Sequence, residues 1–221
     1  MAYKVDGACV NIEFNVMGPI ETNVYIIDDG ETTFVVDPAC DAERIVEALG
    51  NRKADAIVAT HTHWDHVGAL AALREATGAR VIASAVETPY ISGEESLGAD
   101  HRNFEPCPID EQVNDGDVVQ IGTMKWRVIL TPGHTPGGMC LFLDPATGLR
   151  PDGAPVLVSG DTLFAGTHGR TDFTGCDPAA MRSSLKRLAE LPPETIVLPG
   201  HSNLTVIGRE QFWLKEGGVV R

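Results

Sequence analysis

Three short apolar runs in this chain each end abruptly at a polar cluster that carries histidine. Residues 54–60 lead into Thr60-His61-Thr62-His63-Trp64-Asp65-His66, residues 125–130 into Pro132-Gly133-His134, and residues 195–198 into Pro199-Gly200-His201. A fourth run, residues 155–159, ends at Gly160-Asp161. Apolar runs of this length, bounded by turn residues, read as buried strands. Side chains just beyond a strand end stand on a rigid frame and can converge on one sheet edge. The fold is thereby constrained to one that gathers four strand ends.

The rest of the chain supplies further strands and helices. Residues 10–16 alternate, with Val10, Ile12, Phe14 and Val16 on one face and Asn11, Glu13 and Asn15 on the other, as in a half-buried strand. Residues 23–27 and 33–36 make a hairpin around Asp28-Asp29-Gly30-Glu31. Asp41 caps a helix reaching Leu49, with Ile45, Val46 and Leu49 inward and Gly50 closing it. One helix is expected over residues 67–77 and a strand over 80–84. Residues 87–116 are irregular and carry Pro89, Pro106 and Pro108; a stretch this long either borders a site or forms a surface excursion. Asp177 and Pro178 open a helix that buries Met181, Leu185 and Leu188. A short helix from about Arg209 follows. With no repeat or linker, residues 1–221 are expected to form a single domain of mixed α and β structure, with helices outside two packed sheets.

Composition narrows the function. The chain has 221 residues, 43% hydrophobic and 22% charged, as soluble globular proteins do. Its net charge of −14 opposes a nucleic-acid partner. No run approaches the roughly 18 apolar residues of a membrane span, and the first residues lack the apolar core of a secretory signal. A cytoplasmic protein with no membrane partner is expected. The five cysteines are widely spaced and form no C-x-x-C pair, so mostly buried free thiols are expected.

Five of the seven histidines and two aspartates fall in the strand-end clusters. Imidazole nitrogen and carboxylate oxygen are the donors that zinc and related ions prefer. The set suffices for two ions, with three His on one, an Asp and two His on the other, and one carboxylate between. Alternate residues of an extended loop share a direction, so His61 and His63 can hold one ion. Asp65 and His66, adjacent on a turn entering a helix, can reach a second. Gly133 and Gly200 are expected to let the following histidine approach its ion unobstructed. His101 and His168 read as ordinary polar residues, with a substrate contact the lesser alternative for His168.

These residues carry a resemblance. The chain resembles the metallo-β-lactamase superfamily and, within it, short glyoxalase II-like hydrolases. The likeness lies in Gly18-Pro19-Ile20-Glu21-Thr22-Asn23-Val24-Tyr25, Val36-Asp37-Pro38, residues 60–68, Thr131-Pro132-Gly133-His134-Thr135-Pro136-Gly137-Gly138, Gly160-Asp161-Thr162-Leu163-Phe164 and Leu198-Pro199-Gly200-His201. It implies an αββα sandwich, two mixed sheets with outer helices. It implies two divalent ions, zinc first, with iron or manganese as alternatives. His61, His63 and His134 would hold one; Asp65, His66 and His201 would hold the other; Asp161 would bridge them. Ala69 stands where a second glycine is common, which should alter only helix packing. The chain ends about twenty residues after His201, so the further helical segment of glyoxalase II proper, which helps hold glutathione, is expected to be missing. Gly169-Arg170-Thr171-Asp172-Phe173 resembles a segment shared with persulfide dioxygenases. Arg170 is either a fork for a substrate carboxylate or a structural arginine paired with Asp172 or with loop carbonyls. Cys176 reads as a bystander.

The reaction expected is hydrolysis of a thioester, such as a hydroxyacyl-glutathione or another thiol conjugate, by a metal-bridging hydroxide. Asp65 is the expected catalytic carboxylate, orienting the nucleophile. A thiolate leaving group, of parent pKa about 8.5, needs little help from an acid. The alternative is a mononuclear iron persulfide dioxygenase using His61, His134 and Asp161. Lactone, β-lactam or phosphodiester hydrolysis ranks lower, and a non-catalytic metal module lower still. Oligomeric state leaves no signal.

Overall fold

The computed structural model describes residues 2–98 and 104–218; His101 lies outside them. The first sheet runs in chain order from β1 (Tyr3–Lys4) through β2 (Asn11–Met17), β3 (Thr22–Asp28), β4 (Thr33–Val36), β5 (Ala54–Val58) and β6 (Arg80–Ser84) to β7 (Glu111–Val113). Its first four strands are antiparallel, and β4 to β7 are parallel. The second sheet holds β8 (Val118–Ile121), β9 (Met124–Leu130), β10 (Met139–Leu143), β11 (Val156–Gly160), β12 (Ile196–Pro199) and β13 (Thr205–Val206). Only β11 and β12 are parallel in it. Both sheets are mixed, as expected.

The layers follow from side-chain alternation. In β3, Tyr25 and Ile27 face the core between the sheets, while Val24 and Ile26 face an outer core. Helices α1 (Ala42–Leu49) and α3 (Leu70–Thr77) cover that outer face through Ile45, Leu49, Leu70 and Leu73. In β10, Leu141 points between the sheets and Phe142 points out. There α5 (Pro178–Leu188) and α6 (Ile207–Glu216) close the other side with Met181, Leu185, Ile207 and Leu214. The architecture is the αββα sandwich.

Several local expectations change. The helix expected over 67–77 is broken into α2 (Trp64–Val67) and α3. The Ala69 amide donates to the Pro38 carbonyl at 2.9 Å instead of continuing the ladder. A Cβ on Gly68 would lie 2.4 Å from the Ala39 carbonyl oxygen, so the chain can press close there only as glycine. Val46 is exposed rather than inward. Residues 87–98 and 104–116 are not a surface excursion. They include α4 (Thr88–Ile91) and β7, and Ile91 and Cys107 are buried in the α1/α3 core. All five cysteines are free, and Cys9, Cys107 and Cys140 are buried. Among the described residues no helix is long and apolar enough to cross a membrane.

Candidate metal site

The C-terminal ends of β5, β9, β11 and β12 meet at one edge of the sandwich. His61 and His63 lie in the extended loop after β5, and Asp65 and His66 in the first turn of α2. His134 sits in the turn between β9 and β10, Asp161 directly follows β11, and His201 follows β12. Backbone bonds pin these ends together: Met139 N–H to the Thr60 carbonyl at 3.0 Å, and Gly200 N–H to the Gly160 carbonyl at 2.8 Å. The first sheet grips the β12 turn as well. Asn23 donates its side-chain amide to the Pro199 and Ser202 carbonyls, each at 3.0 Å, and the buried Tyr25 hydroxyl donates to Pro199 at 2.7 Å.

All seven residues singled out as candidate ligands come together. One donor atom from each of His61, His63 and His134 lies within 4.8 Å of the others; the same holds for Asp65, His66 and His201. Asp161 stands between the two groups. Its Oδ1 is 3.3 Å from His66 Nε2, and its Oδ2 is 3.4 Å from His134 Nε2 and 3.5 Å from His201 Nε2.

Hydrogen bonds behind the rings fix their tautomers. A carbonyl only accepts, so His134 Nδ1–H donates to the Arg170 carbonyl at 2.6 Å and His201 Nδ1–H donates to the Ile20 carbonyl at 3.1 Å. The Nε2 lone pairs are left facing inward. His66 Nδ1 donates to Asp37 at 2.9 Å. His61 Nδ1 donates to the Thr60 hydroxyl at 3.0 Å, which donates to the same Asp37 oxygen at 2.7 Å. Asp37, which the sequence reading gave no role, thus orients two histidines. With Asp37, His61 and His66 also make a third group of close donors, but both Asp37 oxygens already accept hydrogen bonds from within the protein.

Electrostatics divide the donors: His61 and His134 are favoured neutral, while the carboxylates beside His66 and His201 favour their protonated forms, a role that a bound cation would take over. Burial and the surrounding imidazoles push His61 well below the usual histidine pKa, and burial pushes His134 down against the pull of Asp161. Burial opposes protonation of His66 as well, but the Asp161 and Asp37 carboxylates outweigh it and raise its pKa. His201 is raised against its own burial by Asp65 and Asp161. Burial works against Asp161 ionising, yet His66, His134 and His201 hold it down to about 2. Asp65 is held well below the carboxylate range, its burial outweighed by His201 and His66.

The donor set fits cations. His134 Nε2 and Asp161 Oδ1 are buried with no hydrogen-bond partner, although buried polar atoms are almost always partnered. His61 Nε2 and His63 Nδ1 face each other at 3.1 Å, and the Thr60 bond makes the His61 nitrogen a lone pair. A positive centre among these atoms removes the desolvation cost that they otherwise carry.

A cavity of about 450 Å³ opens onto this cluster. Its walls include Ile20, Trp64, Phe164 and Phe173, with Thr167, His168 and Arg170 beside them. These four apolar residues all stand in the motifs that carry the family resemblance, where no wall role was read for them. Arg170 is engaged within its own loop. Its Nε and one terminal nitrogen donate to Asp172 at 2.9 and 2.7 Å, and its guanidinium lies 4.1 Å from the centre of the Phe173 ring. The side chain therefore behaves as the structural partner of Asp172, while its carbonyl orients His134. His168 lines the cavity and bonds the Gly169 carbonyl at 2.8 Å. Cys176 donates its thiol to the His134 carbonyl at 3.0 Å.

The two glycines differ in purpose. A Cβ on Gly200 would lie 2.3 Å from Asp161 Oδ1 and 2.6 Å from His66 Cε1, so glycine there clears space for the cluster. A Cβ on Gly133, whose φ is +144°, would instead strike Met181 at 2.5 Å. Gly133 serves the packing of α5, not the approach of His134 to an ion.

Residues 17–201 match the family model of the metallo-beta-lactamase superfamily. The chain belongs to that superfamily, whose fold binds divalent metals through His/Asp clusters. It is 29% identical to the hydroxyacylglutathione hydrolase GloC of Haemophilus influenzae, over 91% of this chain and 95% of that one. Among solved structures, the BLEG-1 B3 metallo-beta-lactamase is 31% identical, with a TM-score of 0.78 over 91% of this chain and 96% of that one. TTHA1623 in a di-iron-bound form is 35% identical, with a TM-score of 0.74 over 89% and 95%. ETHE1 from Myxococcus xanthus is 26% identical, with a TM-score of 0.70 over 98% and 85%.

Proposed function

We propose that this protein hydrolyses small thioesters, such as a hydroxyacyl-glutathione or a related thiol conjugate, with two divalent ions. The observation that carries this reading is the pair of three-donor groups flanking Asp161 beneath one cavity. His61, His63 and His134 would hold one ion, Asp65, His66 and His201 the other, with Asp161 shared. When bound, two such ions act as Lewis acids and bring the pKa of a bound water toward neutrality. Asp65 would be the carboxylate that orients the nucleophile. Its Oδ2 lies 3.1 Å from His201 Nε2 and accepts the Thr22 hydroxyl at 3.4 Å. The aromatic walls bring the acyl group out of water, which strengthens the electrostatic interactions at its carbonyl. A thiolate leaving group needs little help from a general acid, and the likeness to GloC supports the thioester class. The reading takes zinc as the first choice of metal, with iron the alternative that the di-iron neighbour supports.

The resemblance of Gly169-Arg170-Thr171-Asp172-Phe173 to persulfide dioxygenases favours, as the second reading, one iron on His61, His134 and Asp161 with persulfide oxidation. Purified protein assayed side by side on S-lactoylglutathione, a panel of small acyl thioesters and glutathione persulfide separates the two. The expected result is free thiol released from a thioester with no oxygen consumed. Oxygen uptake on the persulfide, with the thioesters left intact, overturns the proposal.

A further inference from the structure

We propose that Glu87 is a positioning residue that sets the geometry of the three-histidine ion site specifically, and not that of its neighbour. Glu87 lies at the corner between β6 and α4, and its side chain is completely buried. One carboxylate oxygen accepts the Thr62 amide at 2.9 Å; the other accepts the Gly137 amide at 2.7 Å. Thr62 is the residue between His61 and His63. Gly137 closes the turn that carries His134. A single buried carboxylate therefore ties together the two backbone segments that supply all three histidines of one group.

The same corner holds the turn a second time. The Ser84 hydroxyl donates to the Gly137 carbonyl at 2.7 Å, so both polar groups of Gly137 are gripped from the end of β6. The approach is close: a Cβ on Gly137 would lie 2.5 Å from Val86 Cβ and 2.8 Å from Ser84 Oγ. Asp65, His66, Asp161 and His201 make no hydrogen bond to Glu87 or Ser84 among those found in the described residues. Hydrogen-bonded groups behind metal ligands fix ligand direction, and their loss typically lowers affinity about 10- to 100-fold. Glutamine at position 87 keeps the shape but offers one oxygen and one NH2. One of the two amides would then face a donor, so one end of the latch opens.

The test is a cobalt(II) titration of metal-free wild type, Glu87→Gln and Glu87→Asp, following the visible absorption of each site and ions bound per chain. The inference rests on the two-ion reading. Glu87→Gln is expected to weaken the three-histidine site at least 10-fold and to leave the Asp65/His66/His201 site within about threefold. Glu87→Asp keeps the charge but shortens the reach, and should weaken the same site to a lesser extent. Equal weakening of both sites, or no change at either, overturns the proposal. If Glu87→Gln does not fold, Ser84→Ala, which removes the hydroxyl that grips the Gly137 carbonyl and accepts the Glu87 amide, carries the test with the same selectivity required. Wild type that binds a single ion would instead overturn the two-ion reading, and Glu87→Gln must still weaken that ion if three histidines hold it.

Discussion

Asp161→Asn is expected to lower thioester turnover by at least about 10³-fold, equivalent to about 4 kcal/mol of lost transition-state stabilisation. Bound metal should fall from two ions to one or none per chain. Asp161 lies within 3.5 Å of donors from both groups. Its Oδ1 is buried without a hydrogen-bond partner, and the positive charge nearest to it is that of His66, 3.3 Å away, when protonated. Asparagine keeps the volume but removes the charge and turns one end into a donor, aimed at imidazole nitrogens that must themselves stay unprotonated to bind metal. Metal analysis by mass spectrometry beside steady-state kinetics checks this. Near-normal turnover with two ions retained would remove Asp161 from the site.

Gly200→Ala should be nearly as damaging although it deletes no ligand. The added methyl would stand 2.3 Å from Asp161 Oδ1 and 2.6 Å from His66 Cε1. The turn cannot back away, because the Gly200 amide is bonded to Gly160 at 2.8 Å and its carbonyl to the Asn23 amide at 2.7 Å. The clash is therefore relieved by displacing Asp161 or His66. Displacements of about 1 Å at a reacting centre cost on the order of 10²-fold, and that loss is expected in kcat/KM. Activity within threefold of wild type would show that the cluster tolerates the shift and that its geometry is less constrained than proposed.

The convergence of His61, His63, Asp65, His66, His134, Asp161 and His201 was legible in the sequence because each follows an apolar strand, and strand ends of packed sheets gather at an edge. Asp37 stands at the end of β4 and so carried the same positional signal. Its role stayed hidden because it acts through Thr60 and His66. Glu87 offered no local signal at all: its partners are 25 and 50 residues away, and only the fold brings them to it. The break between α2 and α3 depends on the Pro38 carbonyl, which helical periodicity cannot register. Gly133 looked like Gly200 in sequence, since both precede a histidine. What separates them is the neighbour each one meets, Met181 in one case and Asp161 in the other. Arg170 had two readings in sequence, and its pairing with Asp172 favours the structural one.

The central claim is that this strand-end cluster holds two divalent ions. Anomalous X-ray diffraction at the metal edges, from crystals of protein purified without chelator, tests it most directly. The account predicts two separate peaks, one among His61, His63 and His134 and one among Asp65, His66 and His201, with Asp161 between them. A single peak, or none within this cluster, would contradict it.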